Sequence, residues 1–368
     1  MARIRQIYQS AAVFVSPSPA TGYMFSSGNS GVNLVKQLHR VQSVSLSASQ
    51  AREDIREFGR LDRIDAVITQ PPQVSLNISY YPTNGYNEAV LGFAASGQSN
   101  FISGVLDGTQ AEKNYFVGIS QEGYDINGNS NSGVNSCISV GNGFISNYSL
   151  NLAVGSVANA SITIEGANAQ FDTGTWLKAT PAIIPENGQQ VSGVYYTLPI
   201  ATDGTGANIA SALRPGDIIC EFPENAALGG YASGAKSFNL QSISISVPMS
   251  LNPIQRLGSP FPFAKTLNLP ITATLSMDAL ATEIRESKIS DLLCNDPFQN
   301  FRIKLKNPAC GGTGSNAIVI DVRNVKLDST DWNLDVGSNA ATTRLTYSAQ
   351  LGAVNSQAGL YFSGSYSL

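Results

Sequence analysis

Apolar and polar residues alternate with period two over residues 41–48, where serines separate the valines and leucine, and again over residues 74–79. This spacing predicts half-buried β-strands, which we expect to be antiparallel neighbours. The first pattern occurs twice in the chain. The hexapeptide QSVSLS at 42–47 matches QSISIS at 241–246, a shift of 199 positions.

The match extends beyond these hexapeptides. At the same shift Pro71 falls on Pro270 without a gap. A second similar pair, NLAVGS at 151–156 and NLDVGS at 333–338, follows in the same order at a shift of 182 positions, so the first copy is 17 residues longer between its matching blocks. Loops absorb such differences readily. Chance similarity among serine-rich strands is the alternative, and the shared order argues against it.

The repeat divides the 368 residues into two related domains. We expect the first domain over residues 37–170 and the second over residues 216–368. A structured connector is expected at 171–215 and an N-terminal arm at 1–36. The arm segment mixes short apolar runs with Ser, Pro and Gly, and an edge element of a sheet is the other interpretation of it.

Each copy contains the same succession of further elements. A helix is expected at 278–293, with Asp278 capping its N-terminus, and a shorter counterpart at 87–95. Further strands are expected at 115–120, 137–140, 301–306 and 317–322, with closing strand pairs over 148–164 and 332–347. The sequence thus predicts a mainly β fold with one flanking helix in each domain.

Charge is concentrated in residues 51–65. Nine of these fifteen residues are charged, and the apolar ones recur at every third position, which taken alone would fit a short helix. The counterpart in the second copy, 248–270, contains five prolines, which no continuous helix accommodates. We therefore expect both segments to be long loops between two strands, and loops of this length are usually functional. A merely solvated charged loop is the alternative.

The composition limits the classes of partner. Charged residues make up 13% of the chain, whereas about 25% is typical of soluble domains. Abundant Gly, Ser, Asn and Thr are typical of many short strands joined by turns, and we expect large contacts between subunits. The net charge of −4 provides no basic footprint for binding nucleic acid.

Residues able to carry chemistry are sparse. The one histidine, His39, lies alone at a strand start, and the four cysteines lack the C-x-x-C spacing of a zinc site. Cys294 and Cys310 are close enough in sequence to pair across one loop. The glycine-rich run 310–314 resembles a phosphate-binding loop, but it lacks Gly-Lys-Ser/Thr and leads into a strand. We expect no enzyme, no cofactor and no bound metal.

The apolar run near the N-terminus, 11–15, is shorter than a signal peptide needs. No apolar run approaches the length of a membrane-spanning helix. Neither secretion nor a membrane partner is therefore expected.

In the order of its elements, each copy resembles the major tail tube proteins of long-tailed bacteriophages. That order is a strand, a long loop, a return strand, a helix and strands closing on a Val-Gly-Ser turn, and the resemblance covers about residues 42–165 and 241–350. The Arg-Pro-Gly-Asp turn at 214–217 is similar to one that is common before a tube-domain strand. The resemblance implies two tandem tail-tube-like domains, each an antiparallel β-barrel or sandwich. Most members of that family have one such domain per chain, and this chain departs from them by duplication.

In that family six domains close their sheets into a barrel around a lumen, and the loop between the first two lining strands reaches into the next ring. The resemblance therefore implies that residues 51–70 and 249–269 are loops that stack rings together. The candidate residues for this contact are Arg52, Glu53, Asp54, Arg56, Glu57, Phe58, Arg60, Asp62, Arg63, Arg256, Leu257, Phe261 and Phe263.

Two domains in each chain imply that three chains complete one ring, with true threefold and approximate sixfold symmetry. The implied protein is a structural component of the virion tail that is assembled in the host cytoplasm with other tail proteins. DNA is expected to pass through its lumen without specific binding. A neutral to acidic lumen wall is expected, because a basic wall would hold the DNA.

Two other functions fit the same sequence. A hub or completion protein at a tube end also contains tandem tube domains in this class of assembly, and its copy number would be lower. A two-domain β-sandwich adhesin or carbohydrate-binding protein would be expected to have exposed aromatic platforms and a secretion signal, and neither is visible in the sequence.

Overall fold

A computed structural model describes most of the chain. The residues that it describes are 6–17, 35–106, 111–122, 124–127, 135–174, 181–184, 187–189, 191, 196, 198–204, 212–221, 240–259, 261–262, 264–280, 298–308, 314–333, 342–352 and 358–366. Within these ranges the fold is mainly β and antiparallel, as the sequence predicts.

The described elements are nineteen strands, two short helices and a 3-10 turn. The strands are β1 (Gln6–Pro17), β2 (Lys36–Leu38), β3 (Val41–Ser49), β4 (Arg52–Ile55), β5 (Asp65–Ile68), β6 (Gln73–Tyr80), β7 (Lys113–Gln121), β8 (Asn135–Ala153), β9 (Asn159–Gly166), β10 (Asn168–Gly174), β11 (Ile218–Glu221), β12 (Leu240–Pro248), β13 (Leu251–Ile254), β14 (Ala264–Leu267), β15 (Ile271–Leu280), β16 (Gln299–Lys306), β17 (Asn316–Asn333), β18 (Thr342–Leu351) and β19 (Gly359–Gly364). The helices are α1 (Tyr86–Leu91) and α2 (Ser103–Leu106), and the 3-10 turn spans Pro215–Asp217.

The strands pair in the same order in both copies. In the first copy the order is β3–β6–β9–β8–β7–β1, and in the second it is β12–β15–β18–β17–β16–β11. In addition, β10 and β19 pair with the N-terminal parts of β8 and β17. The repeated hexapeptides lie in β3 and β12, whose registers with β6 and β15 are equivalent. The domain boundaries themselves stay a prediction.

The long strands β8 and β17 change direction at equivalent asparagines. Asn142 has a φ of 51° and Asn324 a φ of 55°, both in the left-handed region that asparagine tolerates better than most residues. Each backbone N–H donates to a neighbouring asparagine side chain, Asn142 to Asn114 at 3.1 Å and Asn324 to Asn300 at 2.9 Å. The bend lets the two parts of each strand pair with different neighbours.

The two copies share one sheet. The C-terminal part of β8 pairs with β12, from Ala153 opposite Ser242 to Asn147 opposite Pro248. Four strands of each copy therefore form a continuous eight-stranded sheet in the order β3–β6–β9–β8–β12–β15–β18–β17, which we call the joined sheet. It places both copies in one hydrophobic core.

Period-two alternation gives the joined sheet one apolar and one polar face. Leu76, Leu150, Ile162, Ile245 and Leu275 lie on the apolar face and are at most 2% exposed. Burying a side chain of this size stabilises the fold by roughly 1.5–3 kcal/mol, so this face dominates the stability of the sheet.

The helix expected at 87–95 corresponds to α1. It begins after Gly85 and ends at Leu91, because Gly92 adopts a left-handed φ of 98° and its N–H caps the last turn. Val90 and Leu91 bury the apolar side of the helix against the joined sheet.

The expected helix start at Asp278 is wrong. Asp278 lies inside β15, where Ala273, Leu275, Met277 and Ala279 form a buried period-two pattern. Asp278 could cap a helix by local preference, but the segment is a strand because every residue of β15 pairs with β18. The remainder of the expected helix, 281–293, lies outside the described residues.

The described part of the expected N-terminal arm belongs to the sheet. β1 pairs with β7 and β2, and it buries Val13, Phe14 and Val15. At the end of the expected connector, Asp217 accepts a 2.8 Å bond from the Arg214 guanidinium in the 3-10 turn that precedes β11. No helix among the described residues is long and apolar enough to cross a membrane.

Candidate functional site

The two expected loops are β-hairpins. β4 pairs with β5 in the first copy and β13 pairs with β14 in the second, and their registers are related by the same shift of 199. We call them the charged hairpin (residues 51–69) and the proline-rich hairpin (residues 250–268). Both tips turn through a glycine in the left-handed region, Gly59 at 94° and Gly258 at 86°.

The hairpins place most of the candidate contact residues at the surface. Phe58, Leu61 and Leu257 are fully exposed at the tips. Arg256 of the proline-rich hairpin is also exposed. So are the candidate residues along the charged hairpin and beside its tip: Arg52, Glu53, Asp54, Arg56, Glu57, Arg60, Asp62 and Arg63. Phe261 is partly buried, and Phe263 lies outside the described residues.

Charges on the charged hairpin pair within it. Arg63 contacts Asp54 at 3.1 Å and Arg60 contacts Asp62 at 3.4 Å, and all four side chains are largely exposed. Exposed pairs of this kind stabilise a structure by about 0–1 kcal/mol each. The tips therefore present apolar side chains surrounded by charges that are already paired in part.

Both hairpins leave the joined sheet at the same end. β3 and β12 are separated by three antiparallel strands and so run in the same direction, each into its own hairpin. A cleft of about 480 Å³ lies between the hairpin bases, lined by Pro71, Pro72, Pro253 and Phe261 among others. The turn between β8 and β9, with Val154 exposed, lies at the opposite end.

The polar face of the joined sheet consists mainly of hydroxyl and amide groups. Serines of β3 and β12, such as Ser45 and Ser244, share this face with Asn77, Ser149 and Thr163 on neighbouring strands. Among the described residues, three acidic and two basic side chains at paired positions interrupt it: Glu165, Asp278, Lys326, Asp331 and Arg344. A further exposed acidic residue, Asp328, lies at the bulge of β17. The face is thus nearly neutral, with a small excess of negative charge.

One ion pair fixes two of these charges. The guanidinium of Arg344 contacts Asp278 at 2.8 and 3.0 Å, and the hydroxyl of Ser242 donates to the same carboxylate at 2.6 Å. The hydrogen bonds from Arg344 lower the pKa of Asp278, and the bond from Ser242 acts in the same direction. The pair thus stays ionised at neutral pH and has little free charge to offer a ligand.

The joined sheet ends in two edges that among the described strands have no outer neighbour. One is β3, and the other is the C-terminal part of β17. At the second edge Trp332 is 52% exposed, although its counterpart at the β8–β12 junction, Leu150, is 1% exposed. Leu46 of β3 is only partly buried, whereas its counterpart Ile245 is 2% exposed. Each edge thus leaves accessible an apolar residue that the junction buries.

Among the residues that the structure describes, groups able to catalyse a reaction are not gathered in one cleft. His39 is held by backbone bonds to the Asn87 side chain at 2.8 and 2.9 Å, and burial lowers its pKa. Cys137 and Cys220 are buried free thiols. No cluster among the described residues could hold a metal ion. Cys294, Cys310 and residues 311–313 of the glycine-rich run lie outside the described residues.

Sequence reasoning missed the two edges and the exposed Trp332. The repeat contained a signal for them, because Trp332 falls on Leu150 at the shift of 182. Without the β8–β12 pairing, however, nothing indicated that this position lies at a junction.

No protein-family model matches this sequence. No curated protein matches it either. Among solved structures, the chain is similar to the tube-terminating cap of the anti-feeding prophage, with 13% identity and a TM-score of 0.31, over 45% of this chain and 99% of that chain. It is similar to the sheath/tube terminator, in the extended state, of PVC, an extracellular contractile injection system, with 10% identity and a TM-score of 0.29, over 40% and 93% of the two chains. A chain from the tail of an empty GTA particle gives 13% identity and a TM-score of 0.25, over 39% and 97%.

Proposed function

We propose that the protein is a structural protein of a bacteriophage tail tube, and that three chains close one ring around a lumen. The observation that carries this proposal is the β8–β12 junction, at which one copy continues the sheet of the other. The joined sheet ends in the counterparts of these two strands, β17 and β3. A neighbouring chain can therefore add at each edge by repeating a contact that the chain already makes within itself.

The junction also supplies the register of this contact. Ile245 lies opposite Leu150 within the chain, and the repeat converts this pair into Leu46 opposite Trp332 of the neighbouring chain. The indole would then cover Leu46 on the apolar side, and Ser47 would lie opposite Asp331 on the polar side. Strand addition satisfies the backbone groups of both edges, which would otherwise invite non-specific pairing.

The number of chains follows from the resemblance to tube proteins, in which six domains close a ring. Each chain contributes eight strands to the joined sheet, so three chains would close a barrel of 24 strands. Closed rotational symmetry also pairs both edges of the joined sheet, which a single chain cannot do.

The polar face is proposed to line the lumen. Its hydroxyl and amide groups keep the wall wetted, and its slight excess of acidic side chains does not attract phosphates. DNA would slide along such a wall without specific binding on its way to the host.

The hairpins are proposed to stack one ring on the next. Phe58, Leu61 and Leu257 are exposed at the tips, on the same end of every chain in a ring. Burying them in the adjacent ring removes apolar surface from water, and many such contacts add up along a tube.

Negative-stain images of the purified protein test this function, with W332D as the diagnostic variant. The wild type is expected to form rings or tubes with a central hole. W332D should stay folded but monomeric, because its carboxylate would be buried against Leu46 without a partner. V154D is the matched control, since Val154 is 64% exposed and lies on a turn away from both edges.

Wild-type protein that remains monomeric at high concentration would contradict the proposal, and so would W332D rings as stable as those of the wild type. The images also separate a tube from a tube end. Long stacks of rings support the tube, whereas single rings that never stack would favour the hub or completion protein.

A further inference from the structure

The outer strands β10 and β19 are counterparts in the two copies. β10 pairs with the N-terminal part of β8, with Phe171 opposite Ile138, and β19 pairs with the N-terminal part of β17, with Phe362 opposite Ile320. Ile138 and Ile320 are related by the shift of 182, so Phe171 and Phe362 occupy the same structural position. Apart from the shared phenylalanine, the sequences of β10 and β19 are not similar, so the sequence alone does not show that the two strands are equivalent.

β19 is seated against the first copy. Its Phe362 carbonyl accepts a 2.8 Å bond from the Gly97 N–H, and its Leu360 carbonyl accepts a 2.7 Å bond from the Phe101 N–H. The ring of Phe362 lies 5.5 Å from that of Phe101 and is 1% exposed. The last strand of the second copy thus adds a second contact to the β8–β12 junction between the copies.

The contact is close enough to depend on small residues. A Cβ on Gly364 would lie 2.3 Å from the Asn84 carbonyl oxygen, and a Cβ on Gly85 would lie 2.9 Å from the Gly364 Cα. Such an approach of two backbones is typical of a built interface, so this second contact is specific.

Phe171 occupies the same position on β10 but is 70% exposed. Among the described strands β10 pairs with β8 alone. By analogy with β19, β10 would dock on a copy that lies beyond β3. The second copy of the same chain joins the first copy on the other side, at β8, and so does not cover β10. In a ring, that place is taken by the second copy of the neighbouring chain whose β17 meets β3.

We propose that β10, with Phe171 as its apolar anchor, is a second interface strand that docks on the neighbouring chain. This inference rests on the proposed function, because it takes its partner from the ring. It predicts that the contact between chains has two parts, as the contact between copies has: strand addition at the joined sheet and aromatic packing at the outer strand.

The experiment compares two equivalent phenylalanines. F171D should raise the protein concentration at which rings form by about tenfold or more, because a large apolar side chain is no longer buried on association. Its monomer should unfold at the wild-type temperature, since Phe171 is exposed within the chain. F362A should instead lower the unfolding temperature of the monomer, because Phe362 is already buried there. F171A provides a milder test, with the same direction and a smaller shift.

V154D is the control for a charge placed on an exposed apolar side chain. Val154 lies on the turn between β8 and β9, so V154D should leave the formation of single rings unchanged, as measured by mass photometry or sedimentation. Rings of F171D that form at the same concentration as those of the wild type would contradict the β10 contact alone. A wild type that forms no rings would contradict the ring itself and the β10 contact with it.

Discussion

At the scale of single residues, the carboxyl of Glu88 is the least expected group in the core. It is fully buried on α1, where Tyr80 donates a hydrogen bond to Oε1 at 3.0 Å and Tyr148 donates one at 3.5 Å. Burial raises the pKa of Glu88, and hydrogen bonds from the backbone and from the two tyrosines offset this only in part. Oε2 has no hydrogen-bond partner among the described residues.

This carboxyl should make stability depend on pH. A group whose pKa rises on folding favours the folded state when protonated, so wild-type stability should fall as pH rises from the unfolded pKa of about 4.3 through the raised folded pKa. E88Q keeps an acceptor for Tyr80 and has no charge to bury, so its stability should depend less on pH over this range. Thermal unfolding between pH 4 and 8 measures the effect. E165Q, which changes an exposed carboxyl, is the control, and parallel profiles for E88Q and the wild type would contradict this account.

The equivalent asparagines at the bends allow a second residue-scale test. The Asn142 side chain accepts a 2.8 Å bond from the Ile183 N–H and donates to its carbonyl at 3.2 Å, and it also contacts Glu112. The Asn324 side chain has no hydrogen bond among the described residues. Glycine suits the left-handed backbone at both positions, so only N142G loses side-chain bonds.

N142G should therefore be destabilised by roughly 1–3 kcal/mol, the cost of leaving buried polar groups unpaired. N324G should stay within about 1 kcal/mol of the wild type. Denaturant unfolding of the two variants gives the comparison, and equal losses would show that backbone geometry, not the Ile183 bonds, dominates at Asn142.

At the scale of elements, the sequence pattern predicted the strands of the joined sheet but not the strands of the hairpins that project from it. Period-two alternation placed β3, β6 and their counterparts, because each has one buried and one polar face. The charged hairpin escaped this pattern, since its strands project from the sheet and bury neither face. Its apolar residues at every third position fitted a helix, and only the prolines of the second copy excluded one.

The helix start expected at Asp278 was wrong, because a tertiary contact overrides the local signal there. Asp278 is a favourable helix cap by local rules, but tertiary pairing with Arg344 on β18 holds it in a strand. β10 and β19 were not predicted at all, because short strands without clear alternation depend on a partner that sequence spacing does not show.

The hairpin tips lead to a prediction about stacking. F58S/L61S should form normal rings that stack weakly, because the tips lose the apolar surface that the next ring would bury. Wild-type stacks should survive at about 1 M salt, where exposed ion pairs are screened. Filament length in negative-stain images at low and high salt measures both effects. If salt dissolves wild-type stacks while F58S/L61S stacks normally, the charged residues and not the apolar tips join the rings.

At the scale of the whole molecule, the joined sheet combines the two copies of the repeat in one unit, and we propose that three such units form a ring. The repeat showed that two related units exist, but it contained no information on their contact. The β8–β12 register and the seating of β19 supplied that information, because they show how one copy meets the next. The proposed contact between chains repeats the contact within the chain.

The same duplication leads to a prediction about symmetry. The two hairpins are equivalent in position but differ in composition, since one contains nine charged residues in the segment 51–65 and the other is rich in proline. Three chains would alternate them around the ring, so averaged images should look sixfold at low resolution and threefold once the hairpins are resolved. Within-chain junctions are tethered at high effective concentration, so rings should come apart at the β3–β17 contact and release whole chains. Symmetry analysis of tube images, with the mass of the released unit, decides the matter. Rings of six chains and twelve domains would show instead that duplication widened the tube.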